Sequence, residues 1–281
     1  MKKGLILEGG AMRGLFTAGI LDVFMENDIK FDGAVGISAG AVFGCNLKSH
    51  QAGRALRYNL KYGRDPRYCS FKSLIKTGDL YGVDFCYDKL PNELDPFDRE
   101  TFEKDPMEFY VGATDVWSGR SVFHKCKDGK EHDMQWFRAS ASMPVVSRPV
   151  EAGGCLLLDG GITNPIPLKF MESKGYDRNV VILTQPKGYV KKKSTGGRLM
   201  NLFLLKYPAI AKAMSKRHLL YNTQTKRVAE EEAKGKVFVL RPPEALGISR
   251  TESDPAELQR VYDIGRKTGL KYLEDIKKFL G

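Results

Sequence analysis

Twice in its first 48 residues the chain runs from a short apolar stretch through a glycine turn into a segment with helical spacing. Lys3–Leu7 ends at Gly9-Gly10, and Leu15, Ala18, Gly19, Ile20, Leu21, Val23 and Phe24 then recur at helical spacing as far as Asn27-Asp28. Phe31–Ile37 ends at Ser38, and the small and apolar residues of Ala39–Leu47 follow. Apolar runs this short, bounded by glycine, read as strands buried on both faces of a parallel sheet. Strand, helix, strand, helix at this spacing implies an α/β fold in which helices pack on that sheet.

Further strands are expected at Glu108–Ala113, Cys155–Leu158, Val180–Leu183 and Lys236–Leu240. The prolines and charges of Gln51–Pro106 (Asp65-Pro66, Pro91, Asp95-Pro96) read as loops and short helices. Pro255–Leu280 reads as one terminal helix, with apolar residues at Leu258, Val261, Ile264, Leu270, Leu273, Ile276 and Phe279. The Gly, Lys and Ser-Thr-Gly-Gly composition of Pro186–Gly197 reads as a linker. It divides the chain into residues 1–185 and a basic, largely helical extension, 186–281, expected to pack on the core.

With 281 residues, 42% of them apolar, the chain can bury a substantial core. It contains no run of 18 apolar residues, so no membrane-spanning helix is expected. Glu8 and Arg13 interrupt the apolar N-terminus too early for a signal peptide. The five cysteines form no CxxC pair, which suggests neither a zinc ribbon nor a disulfide framework. Without an export signal, reduced thiols in a cytoplasmic setting are the expectation.

Gly36-Ile37-Ser38-Ala39-Gly40 is a GxSxG pattern at a strand end and helix start. A turn this tight strains the serine backbone, and glycine on both flanks, Gly36 and Gly40, removes the clashes around it. The serine oxygen then projects from the sheet edge, with the following helix dipole aimed at developing negative charge. A bland reading remains, in which Ser38 only caps its helix. Gly9-Gly10-Ala11-Met12-Arg13-Gly14 also follows a strand and opens a helix. It lacks the Gly-Lys-Ser/Thr of a Walker loop and the GxGxxG of a dinucleotide site. The favoured reading is an oxyanion hole beside Ser38, because neighbouring parallel strands present their loops on one edge.

A base is needed for such a serine. The histidines are His50, His124, His132 and His218, and only His218 follows far enough for a Ser–Asp–His order. It sits beside Lys216 and Arg217, and too few strands precede Ser38 for that fold. Asp159-Gly160-Gly161 closes the apolar run Cys155–Leu158, so Asp159 would share the sheet edge of Ser38 if the strands neighbour each other. Burial would raise its pKa and suit it to accept a proton. Asp-Gly-Gly is also a common plain turn.

These three motifs, in this order, resemble the patatin-like phospholipase family. Ala139-Ser140-Ala141-Ser142-Met143-Pro144 resembles that family's Ala-Ser-x-Ala-x-Pro segment, and Asp159–Pro167, with Asn164-Pro165-Ile166-Pro167, its Asp-Gly-Gly-x-x-x-Asn-x-Pro. The likeness covers roughly Lys3 to Phe170. It implies a three-layer α/β/α fold with a mostly parallel sheet, a Ser38–Asp159 dyad without histidine, and fatty-acyl esters of lipids as substrates. It also implies an oxyanion hole from the backbone of Gly9, Gly10 and Ala11, supported by Arg13. Ala11 departs from the family's third glycine, and because alanine disfavours positive φ, a small adjustment of the loop is expected. In the implied mechanism N–H groups of Gly10, Ala11 and Ala39 hold the oxyanion, Gly160 and Gly161 shape the turn after Asp159, and no metal or cofactor takes part. An acyltransferase or thioesterase would share the acyl-serine, and a non-catalytic lipid-binding protein would share the fold.

The net charge of +11 is unevenly placed, because Lys187–Arg227 holds 11 Lys or Arg and no acid. Within it Leu199, Met200, Leu202, Phe203, Leu204, Leu205, Ile210, Met214, Leu219 and Leu220 accompany Lys206, Lys212, Lys216 and Arg217. Two readings stand side by side. One is an amphipathic surface that docks peripherally on an anionic membrane; the other packs the apolar residues on the core. No nucleic-acid module accompanies the charge, so no nucleic-acid partner is expected.

Overall fold

In the computed structural model, which describes residues 1–193 and 198–281, the pleat of the central strands sorts their side chains onto two faces. Leu5, Leu7, Ala34, Val180 and Ile182 join one apolar core, while Ile6, Val35 and Val181 join a second. Alternate residues of one strand feed opposite layers, and both layers are helical. The result is a three-layer α/β/α architecture.

The elements are β1 (Lys2–Leu7), α1 (Gly14–Glu26), β2 (Gly33–Ile37), α2 (Ala39–Lys48), α3 (Arg54–Tyr62), α4 (Phe71–Thr77), α5 (Arg99–Lys104), β3 (Glu108–Asp115), β4 (Ser121–Lys125), α6 (Glu131–Ser140), β5 (Val150–Ala152), β6 (Cys155–Asp159), α7 (Leu168–Ser173), β7 (Tyr176–Ile182), α8 (Arg198–Lys206), α9 (Pro208–Ala233), β8 (Val237–Leu240), α10 (Pro255–Lys271) and α11 (Leu273–Leu280). Strands β3, β2, β1, β7 and β8 pair in parallel in that order. β4 and β6 pair antiparallel to β3, and β5 antiparallel to β6. The sheet is therefore mixed and mostly parallel. Of the expected linker, Ser194–Gly197 lies outside the described residues, as does the side chain of Leu199. No described helix is long and apolar enough to cross a membrane.

One expectation needs correction. The terminal helix is two helices, broken at Tyr272. The break re-aims the last turns, and Tyr272 and Phe279 both pack on Phe238 of β8, with ring centroids 6.2 and 5.8 Å away. Leu270, expected on the apolar stripe, is exposed. The basic stretch also divides. Phe203, Leu204, Ile210 and Met214 pack around Leu158 and Ile162, whereas Leu202, Leu205 and Leu219 face solvent.

α10 crosses α1 at backbone contact. A Cβ on Gly265 would lie 2.0 Å from the Phe16 carbonyl oxygen, and one on Gly19 would lie 2.2 Å from the Tyr262 oxygen. Around this crossing the Tyr262 hydroxyl donates to Asp22 Oδ2 at 2.5 Å, and Arg266 holds Glu26 by two hydrogen bonds of 2.7 and 2.8 Å. Gly265→Val must push the helices apart, since the obstacle is backbone. We expect a loss of about 1–3 kcal/mol, read as a fall of several degrees in the thermal unfolding midpoint.

Candidate active site

Ser38 sits between β2 and α2 at φ 55° and ψ −126°. Such a conformation costs an L residue about 1–3 kcal/mol and persists only where surroundings enforce it. Three contacts do so. The Ser38 N–H donates to Ser140 Oγ at 2.8 Å, and that hydroxyl donates to the Gly112 carbonyl at 2.6 Å. The Ser38 carbonyl accepts from the N–H groups of Ala41 and Val42 at 2.9 and 3.1 Å, which starts α2. The flanking glycines are steric necessities: a Cβ on Gly36 would meet Ala41 Cα at 2.4 Å, and one on Gly40 would meet the Leu7 oxygen at 2.4 Å.

Asp159 reaches this serine by a route the sequence reading did not foresee. Its strand does not lie beside β2. β4 occupies one edge of β3 along Tyr110–Thr114, so β2 and β6 share the other. β2 ends with Ile37 opposite Gly112, and β6, running the other way, ends with Asp159 opposite Ala113. The two strands thus meet end to end on one edge, and Ser38 and Asp159 are the residues at the meeting point. A Cβ on Gly160 would lie 2.3 Å from the Gly112 oxygen, so only glycine fits the turn that follows.

The carboxyl of Asp159 is 2% exposed and well held. Its Oδ1 accepts from the Gly161 N–H at 2.7 Å. Its backbone N–H donates to the Ser142 carbonyl at 2.8 Å, and its carbonyl accepts from Thr114 Oγ1 at 2.9 Å. Burial pushes its pKa up, while hydrogen bonding from the Ser38 hydroxyl and the Gly161 N–H, and then the charges of Arg217 and Arg250, offset part of the rise. The Ala139–Pro144 segment, which the sequence matched without assigning a role, therefore supports both residues. Ser140 fixes the serine backbone, and the Ser142 carbonyl fixes that of the aspartate.

The Gly9–Gly14 loop lies against the same point. A Cβ on Gly9 would sit 2.7 Å from Ser38 Cβ. Gly10 is extended at φ 178°, and Ala11 takes φ 51°. The alanine thus takes the positive φ that it disfavours and absorbs the strain. Arg13 N–H closes the turn onto the Gly10 carbonyl at 3.2 Å. Among the described residues, no protein acceptor takes the N–H of Gly10, Ala11 or Ala39. A cavity of about 240 Å³ opens here, lined by Ala11, Ser38 and Ala39 and by the apolar Val42, Phe43 and Leu90.

The patatin-like phospholipase family matches residues 5–171, a span that runs from β1 through most of α7 and includes both glycine loops, Ser38 and Asp159. The chain belongs to that family. Residues 207–281 match a domain of unknown function, DUF6363. The uncharacterized protein YjjU of Escherichia coli is 26% identical over 98% of this chain and 78% of its own length. Lysophospholipase NTE1 of Coccidioides immitis is 24% identical over 98% of this chain, which spans only 18% of that protein. Among solved structures, VipD from Legionella pneumophila aligns with a TM-score of 0.47 at 13% identity, covering 98% of this chain and 67% of that one.

In this patatin-like chain His50 and His124 each pair with a carboxylate other than Asp159. His50 contacts Asp105 at 2.6 Å beyond the far end of α2, and His124 contacts Asp133 at 2.7 Å. Sequence spacing showed no metal-ligand pattern, yet the fold brings donor atoms of His124, Cys126 and Asp133 within 4.8 Å of one another. Asp133 already accepts from His124 and from the N–H groups of Lys127, Asp128 and Gly129. Sequence reasoning left Arg217 in a basic stretch with two open readings, membrane docking or packing on the core. Its Nε donates to the Gly161 carbonyl at 2.7 Å, so it turns inward over the turn after Asp159.

Two outcomes follow from the strain and burial. Ala11→Gly relieves a left-handed alanine and is expected to raise stability by up to about 1 kcal/mol, measured by chemical denaturation. The second concerns Asp159, whose folded-state pKa lies above its unfolded one. Its stabilising contribution is complete only below the unfolded value near 4 and is lost as pH rises through the folded value. Asp159→Asn should therefore melt higher than wild type, with a margin that widens from pH 4 upward and then levels. Melting curves across pH check this, and a margin that shrinks with pH would contradict it.

Proposed function

We propose that this member of the patatin-like phospholipase family is a serine acyl-hydrolase acting on fatty-acyl esters of lipids. The observation that carries the reading is the pairing of a strained, glycine-flanked Ser38 with a buried carboxyl on the same strand edge. Asp159 accepts the hydroxyl proton as Ser38 Oγ attacks the ester carbonyl. The N–H groups of Gly10, Ala11 and Ala39 stabilise the oxyanion, with Gly9 providing the close approach and Arg13 bracing the loop. The alcohol or lysolipid leaves with that proton, and an acyl-serine remains. Water, deprotonated by Asp159, then releases the fatty acid and restores the hydroxyl. No step calls for a metal or cofactor.

The apolar cavity beside Ser38 suits an acyl chain, and the lysophospholipase relatives act on lipids by name. Residues 1–185 form the hydrolase unit in this scheme, and 186–281 an extension packed on it. Leu202 and Leu205, 64% and 78% exposed beside Lys206, offer a surface for peripheral contact with an anionic membrane.

A fluorophosphonate probe should label wild type on Ser38, located by peptide mass, and leave Ser38→Ala unlabelled. Hydrolysis of p-nitrophenyl butyrate should fall at least about a thousandfold in Ser38→Ala and in Asp159→Asn. Wild-type turnover in Ser38→Ala would overturn the assignment.

A further inference from the structure

Arg13, Lys191, Arg217 and Arg250 converge on the site from four separate parts of the chain. Arg13 belongs to the glycine loop, and Arg250 lines the cavity that Ser38 opens into. Arg217 and Tyr221 lie one turn apart on α9. The Arg217 guanidinium sits over Gly161, with Nη2 3.6 Å from where a Gly161 Cβ would be. The Tyr221 ring carries the Lys191 ammonium 4.9 Å from its centroid. The Lys191 backbone is held there by the Asn222 side-chain amide, its N–H donating to Asn222 Oδ1 at 2.8 Å and its carbonyl accepting from Asn222 Nδ2 at 3.1 Å. The four cations are close enough to repel one another, and burial together with that repulsion draws Lys191 down to about 8.

Several other arginines of this protein lie against an acid. Arg54 and Arg57 share Asp95, Arg138 has Asp79, and Arg227 has Glu172 at 2.6 Å. Among the described residues, none of these four cations forms a salt bridge. The carboxylates near them are Glu8 and Asp159. Glu8 is already engaged by the Thr184 N–H at 2.7 Å and the Tyr221 hydroxyl at 2.8 Å. Burial pushes both carboxyls up, so together they supply at most two negative charges. Four cations against two such carboxylates leave an excess of at least two. Arg13, Lys191 and Arg217 are half-buried and Arg250 is exposed at the cavity rim, and unmatched charge among the half-buried three is costly unless an anion enters. A phosphate monoester carries a charge of about −1.5 to −2 at pH 7, which matches the excess.

We propose that Arg13, Lys191, Arg217 and Arg250 receive the phosphate of the substrate's headgroup, so that the enzyme selects acyl esters bearing a phosphate monoester over zwitterionic ones. The proposal rests on the acyl-hydrolase reading and names its substrate class. A choline headgroup would place its quaternary ammonium among the same cations and be repelled.

The test compares lysophosphatidate with lysophosphatidylcholine of equal chain length in the same uncharged detergent micelles, with p-nitrophenyl butyrate as the neutral reference. Wild type should favour lysophosphatidate at least tenfold in kcat/KM. Lys191→Gln and Arg250→Gln should each cut that preference at least fivefold, and Lys191→Arg should restore it. Arg217 is left intact, because it also holds the Gly161 carbonyl. Equal turnover of the two lysolipids, or a preference unmoved by both Gln variants, overturns the proposal. Inorganic phosphate separates a headgroup site from a site for the free ion. Competition with lysophosphatidate, weakened in Lys191→Gln, supports the headgroup. Noncompetitive inhibition of both lysophosphatidate and p-nitrophenyl butyrate assigns the cluster to free phosphate and overturns it. Absence of any Ser38-dependent turnover of p-nitrophenyl butyrate would instead be a failure of the hydrolase reading, visible separately.

Discussion

The site depends on one edge of β3, where two strands running in opposite directions stop one residue apart. Because β2 ends opposite Gly112 and β6 ends opposite Ala113, their next residues must crowd together. That crowding is sterically possible only because the surrounding positions carry no side chain. Gly9, Gly36, Gly40 and Gly160 each have a neighbouring atom within 2.7 Å of where a Cβ would stand. The Gly112 carbonyl anchors the junction: through Ser140 Oγ it holds the Ser38 N–H, and Gly160 packs directly on it. The strain of Ser38 is thus sustained by a network rather than by the turn alone.

Electrostatics at the junction works in two opposing directions. Enclosure of Asp159 disfavours its charge, while Arg217 and Arg250 favour it. The outcome is a carboxyl shifted upward yet still offset by nearby cations, a balance that suits the proton-accepting role proposed for it. Those cations come from beyond the stretch that carries the serine and aspartate motifs. Arg217 from α9 and Arg250 from the loop before α10 reach back over it, and Tyr221 ties α9 to Glu8 at the end of β1. The C-terminal helices therefore set the charge of the site as well as covering the sheet.

How much of this was legible in advance varies with how local the physics is. The first β–α–β–α run was readable from apolar periodicity, because a buried parallel strand and its helix write their burial directly into neighbouring residues. β4 was missed because its partly exposed face shows no apolar run, and β5 because it is three residues long. Ala11 was expected to relax its loop. It holds φ 51° in a loop where Gly9 packs against Ser38 and Gly10 against Thr184. Lys191, Arg217 and Arg250 were invisible as a group. Charge counting recorded a basic stretch but could not say which side chains turn inward.

The sequence by itself determined the α/β class, the two glycine turns at strand ends, and the identities of Ser38 and Asp159 as the residues those turns present. These are local properties, set by steric allowance at glycine and by apolar spacing along a few residues. Only the tertiary structure decided that β6 runs antiparallel and meets β2 end to end, that Ser140 and Ser142 support the pair, and that four distant cations gather beside it. Strand direction and edge choice depend on pairings between residues as far apart as Gly33 and Glu108 or Ala113 and Asp159, and pairwise charge proximity follows from those contacts. Neither leaves a trace in the periodicity of any single segment.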